Sequence, residues 1–554
     1  MIDQQAAIGT ARGRSSFAVQ APVAAWRSWL PPLLVCGGAG LLSVILGPDD
    51  YWDLRYYHLY APWTYLHDRY LYDIGPAQEE GFLLPVADFL FYGLISSPLN
   101  ETPRIVAFIM GAVHGINAAL ILAIACHVLR PLWLIERSVL RAAAFLMGVS
   151  GAGFISLLGT TTNDLTSSLF VLGSLFGVLK VAEPASERRT WRGTWAAFAW
   201  AGLSGGIGIA LKYTSAVFMP GLGVIALLAA LRRRTAGGLI AYGVAAGVGF
   251  FAVAGHHMLT LWRDFGNPIF PYLNQIFQSP YWEPKAIHEA RFLPHDLWQL
   301  IAFPFYWTET GAYVVSEPPL RDWRGAIAYV AVAAGLLALA ASRLRGEDRR
   351  ARVFAQTPGL GLVLAFAAVS YFTWVLGFAY YRYAVQLEML TGVVTMGALI
   401  WLFEDRRLRV VVALVALAIA GATTVYPDWG RRRYEDRYID VQVPQLPANS
   451  VVLVATWDPV AYFIPYAEPS ARYLGIENNY LALSQNNKLA SEVKRIMRTP
   501  GPPKFVLSVN EFNSNELNSL LGQFGLKLGA LPCQPIRSNL GRRNPLSLCP
   551  VAAE

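Results

Sequence analysis

Residues 48–58 read Pro48-Asp49-Asp50-Tyr51-Trp52-Asp53-Leu54-Arg55-Tyr56-Tyr57-His58, and they follow directly on an uncharged, largely apolar run, residues 28–47. That run matches the roughly 20 residues that carry a helix across a bilayer. Three carboxylates, an arginine, a histidine and four aromatics therefore stand where a spanning helix leaves the membrane. The aromatics suit the headgroup zone, where Trp and Tyr gather. Three acids within five residues do not. Charge facing lipid there is costly, so the acids are expected to face a wet cavity and to do chemistry.

The rest of the chain agrees with a membrane setting. It has 554 residues, 55% of them hydrophobic and 15% charged. The mean hydropathy is +0.38. A soluble chain carries about 25% charge. The composition predicts an all-α polytopic membrane protein. The net charge of +8 does not point to nucleic acid. Its arginines sit in short segments between apolar runs, as the positive-inside rule produces. Residues 1–27 hold Arg12 and Arg14 but no apolar core, and read as a cytoplasmic tail. The first run is long enough to remain as an anchor, with no small-residue cleavage site after it.

The arginine segments set a topology of about eleven transmembrane helices in 28–425. Spans are expected at about 28–47, 104–129, 140–159 and 165–182, then a hairpin over 194–231, then 236–257, 324–342, 358–379, 384–403 and 408–425. Large outer loops fall at 48–102 and 258–322, and 81–96 is expected as one or two short interfacial helices. The arginine groups 130–141, 188–192, 232–234, 343–352 and 406–409 all fall inside. Arg431-Arg432-Arg433 breaks the pattern by falling outside. Residues 426–554 are no longer continuously apolar. Val451–Ala455 and Phe505–Val509 read as buried strands and 484–498 as a helix, which gives a small α/β domain outside the membrane, periplasmic in a bacterium. Cys533 and Cys549 would be able to form a disulfide there.

In this topology the polar residues of interest share the outer face. Asp49, Asp50 and Asp53 open the first loop. Asp164 sits in the turn Thr160-Thr161-Thr162-Asn163-Asp164, where it equally reads as a helix cap. Lys212 marks the hairpin apex, as a phosphate partner or a snorkelling lysine. Arg382 lies in Tyr380-Tyr381-Arg382-Tyr383, either gripping a phosphate bidentately or resting on the aromatics. His256 and His257 are expected to end their helix. Glu79, Glu80 and Glu388 read as ordinary interfacial or bundle groups.

These features together resemble the GT-C glycosyltransferases, integral membrane enzymes that use polyprenyl-phosphate sugars. They include the protein O-mannosyltransferases and the transferase that adds aminoarabinose to lipid A. The resemblance is carried by Asp53-Leu54-Arg55-Tyr56-Tyr57-His58-Leu59-Tyr60, by Gly208-Ile209-Ala210-Leu211-Lys212-Tyr213-Thr214, by Gly266-Asn267-Pro268-Ile269-Phe270-Pro271, and by their order over residues 28–425. It implies a polyprenyl-phosphate-linked donor, a lipid, glycan or protein acceptor, and a bacterial inner membrane. It places the critical acid in the 49–53 motif, with Asp53 preferred, Asp50 second and Asp49 open, and a second acid at Asp164. Lys212, Arg382, Tyr57, His58, His256 and Tyr383 form the expected substrate-binding set, although the aromatics equally fit the interface. The acids leave room for a divalent metal, Mg or Mn, but their spacing specifies none.

Other classes fit less well. A transporter or flippase for lipid-linked sugars needs polar groups near the midplane, often on a repeat, and no repeat is visible. A ligase or polymerase of polysaccharides also works at the outer face. There is no Gly-Lys-Ser/Thr phosphate loop and no His-Glu-x-x-His helix.

Overall fold

The computed structural model describes residues 26–554 apart from 131, 133, 184–189, 288–289, 312, 347–357 and 510–513. The tail arginines Arg12 and Arg14, and Arg188, Arg189, Arg349, Arg350 and Arg352 of the inner loops, lie outside the described residues.

Nine helical stretches among the described residues are long and apolar enough to cross a bilayer. In chain order the main helices are α1 (Trp26–Leu46), α2 (Pro103–Val128), α3 (Leu134–Val149), α4 (Ala152–Leu157), α5 (Asn163–Ala182), α6 (Trp191–Leu211), α7 (Met219–Arg233), α8 (Ala236–Phe265), α9 (Arg324–Leu344), α10 (Pro358–Gly377), α11 (Val385–Leu402) and α12 (Arg406–Thr423). Every residue of α11 from Val385 to Trp401 is buried, so it is the axis of the bundle. Helices α6 and α8 touch backbone to backbone. A Cβ added at Gly206 would lie 1.9 Å from the Ala246 carbonyl oxygen, the close approach that small residues permit between membrane helices.

Three expectations change. Helix α8 does not end at His256-His257. It runs to Phe265 and stops at Gly266, whose φ of +70° closes it in the left-handed form. Asp164 is not a cap either, because Thr162 is the cap residue and Asp164 lies in the first turn of α5. The span expected at 140–159 is two helices, α3 and α4, broken at Ser150-Gly151.

The break is held by buried charge. Helix ends leave orphan carbonyls and N–H groups. Arg324, with no exposed surface, donates from Nε to the Met147 carbonyl at 2.7 Å and from Nη2 to the Ser150 carbonyl at 2.6 Å. On the other side of the break, Asp322 accepts from the Ala152 N–H at 3.0 Å. Glu388 accepts from the N–H groups of Gly153 and Phe154 at 2.7 and 2.9 Å. Positive charge thus meets the C-terminus of α3 and negative charge the N-terminus of α4, as helix dipoles favour. Gly151 admits the carboxylate, since a Cβ there would sit 1.9 Å from Glu388 Oε1.

The loop 48–102 carries 3₁₀ turns Gln78–Phe82 and Val86–Asp88 and a short helix, Phe89–Ile95, in place of a span. Beyond α12 a seven-stranded mixed sheet forms, in the order β1-β6-β7-β4-β2-β3 with β5 against β7. Its strands are β1 (Val441–Gln442), β2 (Val451–Val454), β3 (Arg472–Gly475), β4 (Lys504–Val509), β5 (Leu526–Leu528), β6 (Gln534–Ser538) and β7 (Leu546–Ala553). The accompanying helix spans Lys488–Arg498, a little shorter than anticipated, because the Asn487 side chain caps it by accepting from the Ala490 N–H. Cys533 and Cys549 are joined by a disulfide. One of the outlying arginines also finds a role. Arg431 donates to the carbonyls of Gly47, Ser156 and Leu158, each at 2.8 Å, and so caps the ends of α1 and α4.

Candidate active site

Four charged side chains from four chain segments meet at one end of the bundle. Asp53 precedes a π turn, Leu54–His58, a wide turn often found at functional sites. Arg382 lies in the 3₁₀ turn Tyr381–Ala384 that leads into α11. Lys212 occupies an extended residue between α6 and the 3₁₀ turn Tyr213–Phe218. Asp164 is in the first turn of α5, where a carboxylate suits the helix dipole.

Arg382 Nη1 lies 2.9 Å from Asp53 Oδ2, and its Nε lies 3.4 Å from Asp164 Oδ2. Lys212 Nζ lies 2.8 Å from Asp164 Oδ1. The guanidinium stands over the rings of Tyr380 and Tyr383 at 5.3 and 5.7 Å, and Lys212 over Tyr383 at 5.1 Å. The side chains of Asp53 and Arg382 are 16% and 10% exposed, so the cluster is accessible yet poorly solvated. Burial alone would raise the Asp53 carboxyl. Arg382, followed by His58 and Lys212, outweighs it and holds the pKa below the ordinary carboxylate value.

The other two acids of the opening motif go elsewhere. Asp49 is fully buried and accepts from the Thr161 N–H at 3.0 Å, the Thr161 hydroxyl at 2.8 Å and the Tyr438 hydroxyl at 3.3 Å. Asp50 lies 3.4 Å from Arg55 and accepts from the Gly541 N–H of the sheet domain at 3.2 Å. Burial raises its pKa despite these partners.

His58 is buried, with Nδ1 2.7 Å from Asp88 Oδ1, and Asn163 donates to the same oxygen at 3.0 Å. The Tyr57 and His58 rings lie 4.1 Å apart, tilted by 40°. His256 is not drawn into the cluster. It is exposed and pairs with the Tyr65 hydroxyl at 3.0 Å. Its neighbour His257 is buried, with Nε2 2.9 Å from the Phe82 carbonyl oxygen.

Sequence reasoning passed over Asp88, and over Glu80, whose pKa is pushed well up by burial, by Glu79 and by Asp53. It also passed over the Asp322–Arg324–Glu388 group. There the Asp-x-Arg spacing at the mouth of α9 was the available signal. Tyr381, next to Arg382, donates to Asp322 at 3.0 Å, so the plug at the helix break also anchors the arginine turn. Among the described residues no three His, Cys, Asp or Glu come together as a metal-ligand set.

No protein-family model and no curated protein sequence matches the chain. Solved structures do. ArnT from Cupriavidus metallidurans, bound to undecaprenyl phosphate, is 10% identical over 95% of this chain and 98% of its own, with a TM-score of 0.42. The Archaeoglobus fulgidus oligosaccharyltransferase in its apo form is 13% identical over 90% and 72%, with a TM-score of 0.45. AglB from the same organism, with an inhibitory peptide and a dolichol-phosphate, is 16% identical over 80% and 65%, with a TM-score of 0.38.

Proposed function

We propose that the chain is a GT-C-type glycosyltransferase. It moves a sugar from a polyprenyl-phosphate donor to a lipid, glycan or protein acceptor, with inversion, at the periplasmic face of a bacterial inner membrane. One observation carries the reading: Asp53 and Asp164, far apart in sequence, meet Arg382 and Lys212 at one end of the bundle. A carboxylate there can accept the acceptor's proton, and two cations can hold the charge that grows on a leaving phosphate.

In this mechanism the acceptor O–H or N–H bond breaks and its proton passes to Asp53. The new bond to the anomeric carbon forms on the face opposite the phosphate. The bond from that carbon to the phosphate oxygen breaks, and its electron pair leaves on polyprenyl phosphate, held by Arg382 and Lys212. Asp164 keeps both cations in place. Tyr57, His58 and Tyr383 line the site, and no step is routed through a metal. The sheet domain stands outside the membrane and closes on Asp50 through Gly541.

The test is transfer from a polyprenyl-phosphate sugar by purified Asp53→Asn and Asp50→Asn proteins. General-base catalysis is worth about 10²–10⁴ in rate, so the first variant loses at least about a hundredfold and the second keeps most of its activity. Full transfer by Asp53→Asn removes the base. Orientation is checked with a membrane-impermeant thiol reagent on single cysteines. Labelling from outside at position 345 but not at 541 inverts the topology.

A further inference from the structure

The site contains a conflict that the roles above leave open. The proposed base and the proposed phosphate cradle are bound to each other. Asp53 and Asp164 carry two negative charges, Arg382 and Lys212 two positive, and the cluster sums to zero. It is nevertheless not closed. Arg382 Nε and Asp164 Oδ2 are buried without a hydrogen-bond partner, although they face each other at 3.4 Å. Arg324, another buried arginine, makes five short side-chain contacts with Met147, Ser150 (two), Asp322 and Thr424. A saturated arginine is a structural part. One held by a single short carboxylate contact, with donor capacity unspent, can change partners.

We infer that the Asp53–Arg382 ion pair is a latch which the donor's phosphate opens, taking Arg382 for itself and freeing Asp53 to receive the acceptor's proton. The inference rests on the polyprenyl-phosphate reading. Charge conservation supports it. A phosphodiester brings one negative charge to the neutral cluster, so the loaded site stands at minus one. During transfer the leaving phosphate becomes a dianion while Asp53 gains a proton, and the site remains at minus one. In a poorly solvated pocket such balance avoids exposing a net charge change to low dielectric. The free enzyme keeps its carboxylate a weak base, and the loaded enzyme strengthens it by removing the guanidinium.

The experiment is equilibrium binding of undecaprenyl phosphate to the full chain in nanodiscs at pH 8, where the probe is a dianion. Asp53→Asn removes the competitor for Arg382 and is expected to bind the probe at least about tenfold more tightly than the unaltered chain, the equivalent of one pKa unit. Binding by Asp53→Asn that is unchanged or weaker overturns the latch, shows that Asp53 merely props Arg382, and leaves the donor reading standing. No binding by either protein overturns both. A second measurement uses no variant. The acid limb of kcat reports the loaded enzyme and that of kcat/KM the free enzyme. The latch places the kcat limb at least about one pH unit higher; coincident limbs overturn it.

Discussion

Replacing Arg324 by lysine keeps the charge at the helix break and removes the fork. The guanidinium serves Met147 O at 2.7 Å, Ser150 O at 2.6 Å, Ser150 Oγ at 2.9 Å, Thr424 Oγ1 at 2.8 Å and Asp322 Oδ2 at 2.7 Å. An ammonium has three donors on one atom, so at least two of these acceptors lose their partner. Each buried acceptor left unpaired costs about 1–3 kcal/mol. Arg324→Lys is therefore expected to destabilise by roughly 2–6 kcal/mol. The Arg324→Leu, Asp322→Leu double variant separates two explanations. If the pair were only a salt bridge, apolar replacement of both partners would be close to neutral. Here it also strands the buried Met147 carbonyl and the N–H groups of Ala152 and residue 324, which Asp322 accepts from at 3.0 and 2.9 Å. The double variant should remain at least about 3 kcal/mol below the unaltered protein on the same per-group cost. The assay is equilibrium unfolding by increasing SDS in mixed micelles, followed by tryptophan fluorescence. A loss below about 1 kcal/mol for Arg324→Lys, or recovery by the double variant, would refute the capping argument.

Lys212→Gln and Arg382→Gln each remove one proposed phosphate partner, and each should raise KM for the donor by at least about tenfold, the usual scale of a charge-assisted contact, measured by steady-state transfer. Asp53 has a lowered pKa, so it is ionised at neutral pH, and its contribution to stability is present above the unfolded value of about 3.9 and lost as pH falls through the lower folded value. Accordingly kcat/KM should show no limb from Asp53 between about pH 5 and 7, with its fall confined below the ordinary carboxylate range; a titration of kcat/KM that Asp53→Asn removes from the neutral range refutes this. Reducing the Cys533–Cys549 bond, which spans 16 residues, should destabilise the sheet domain by about 3 kcal/mol, read by limited proteolysis with and without reductant.

What the sequence displays and what it hides share one cause. Asp53, Asp164, Lys212 and Arg382 were legible because each is a charge beside the end of an apolar run, and that signal is local. Their partners are not local. Asp49, Asp50 and Asp53 are nearly equivalent in sequence, and only contacts with Thr161, Gly541 and Arg382 tell them apart. The break between α3 and α4 was illegible for the same reason. Ser150-Gly151 lies inside a run that reads as one span, while the groups that satisfy the break, Asp322 and Glu388, lie 170 and 234–235 residues from the N–H groups they accept from. Arg431 was read as an exception to a charge rule because the carbonyls it caps belong to α1 and α4, hundreds of residues earlier. Arg324 and Arg382 show the consequence. Both are arginines at the mouth of a span, both are buried, and in sequence they are interchangeable. What separates them is saturation. Arg324 is used up by the fold, Arg382 is not, and it is the arginine with an unspent donor that is available to a ligand.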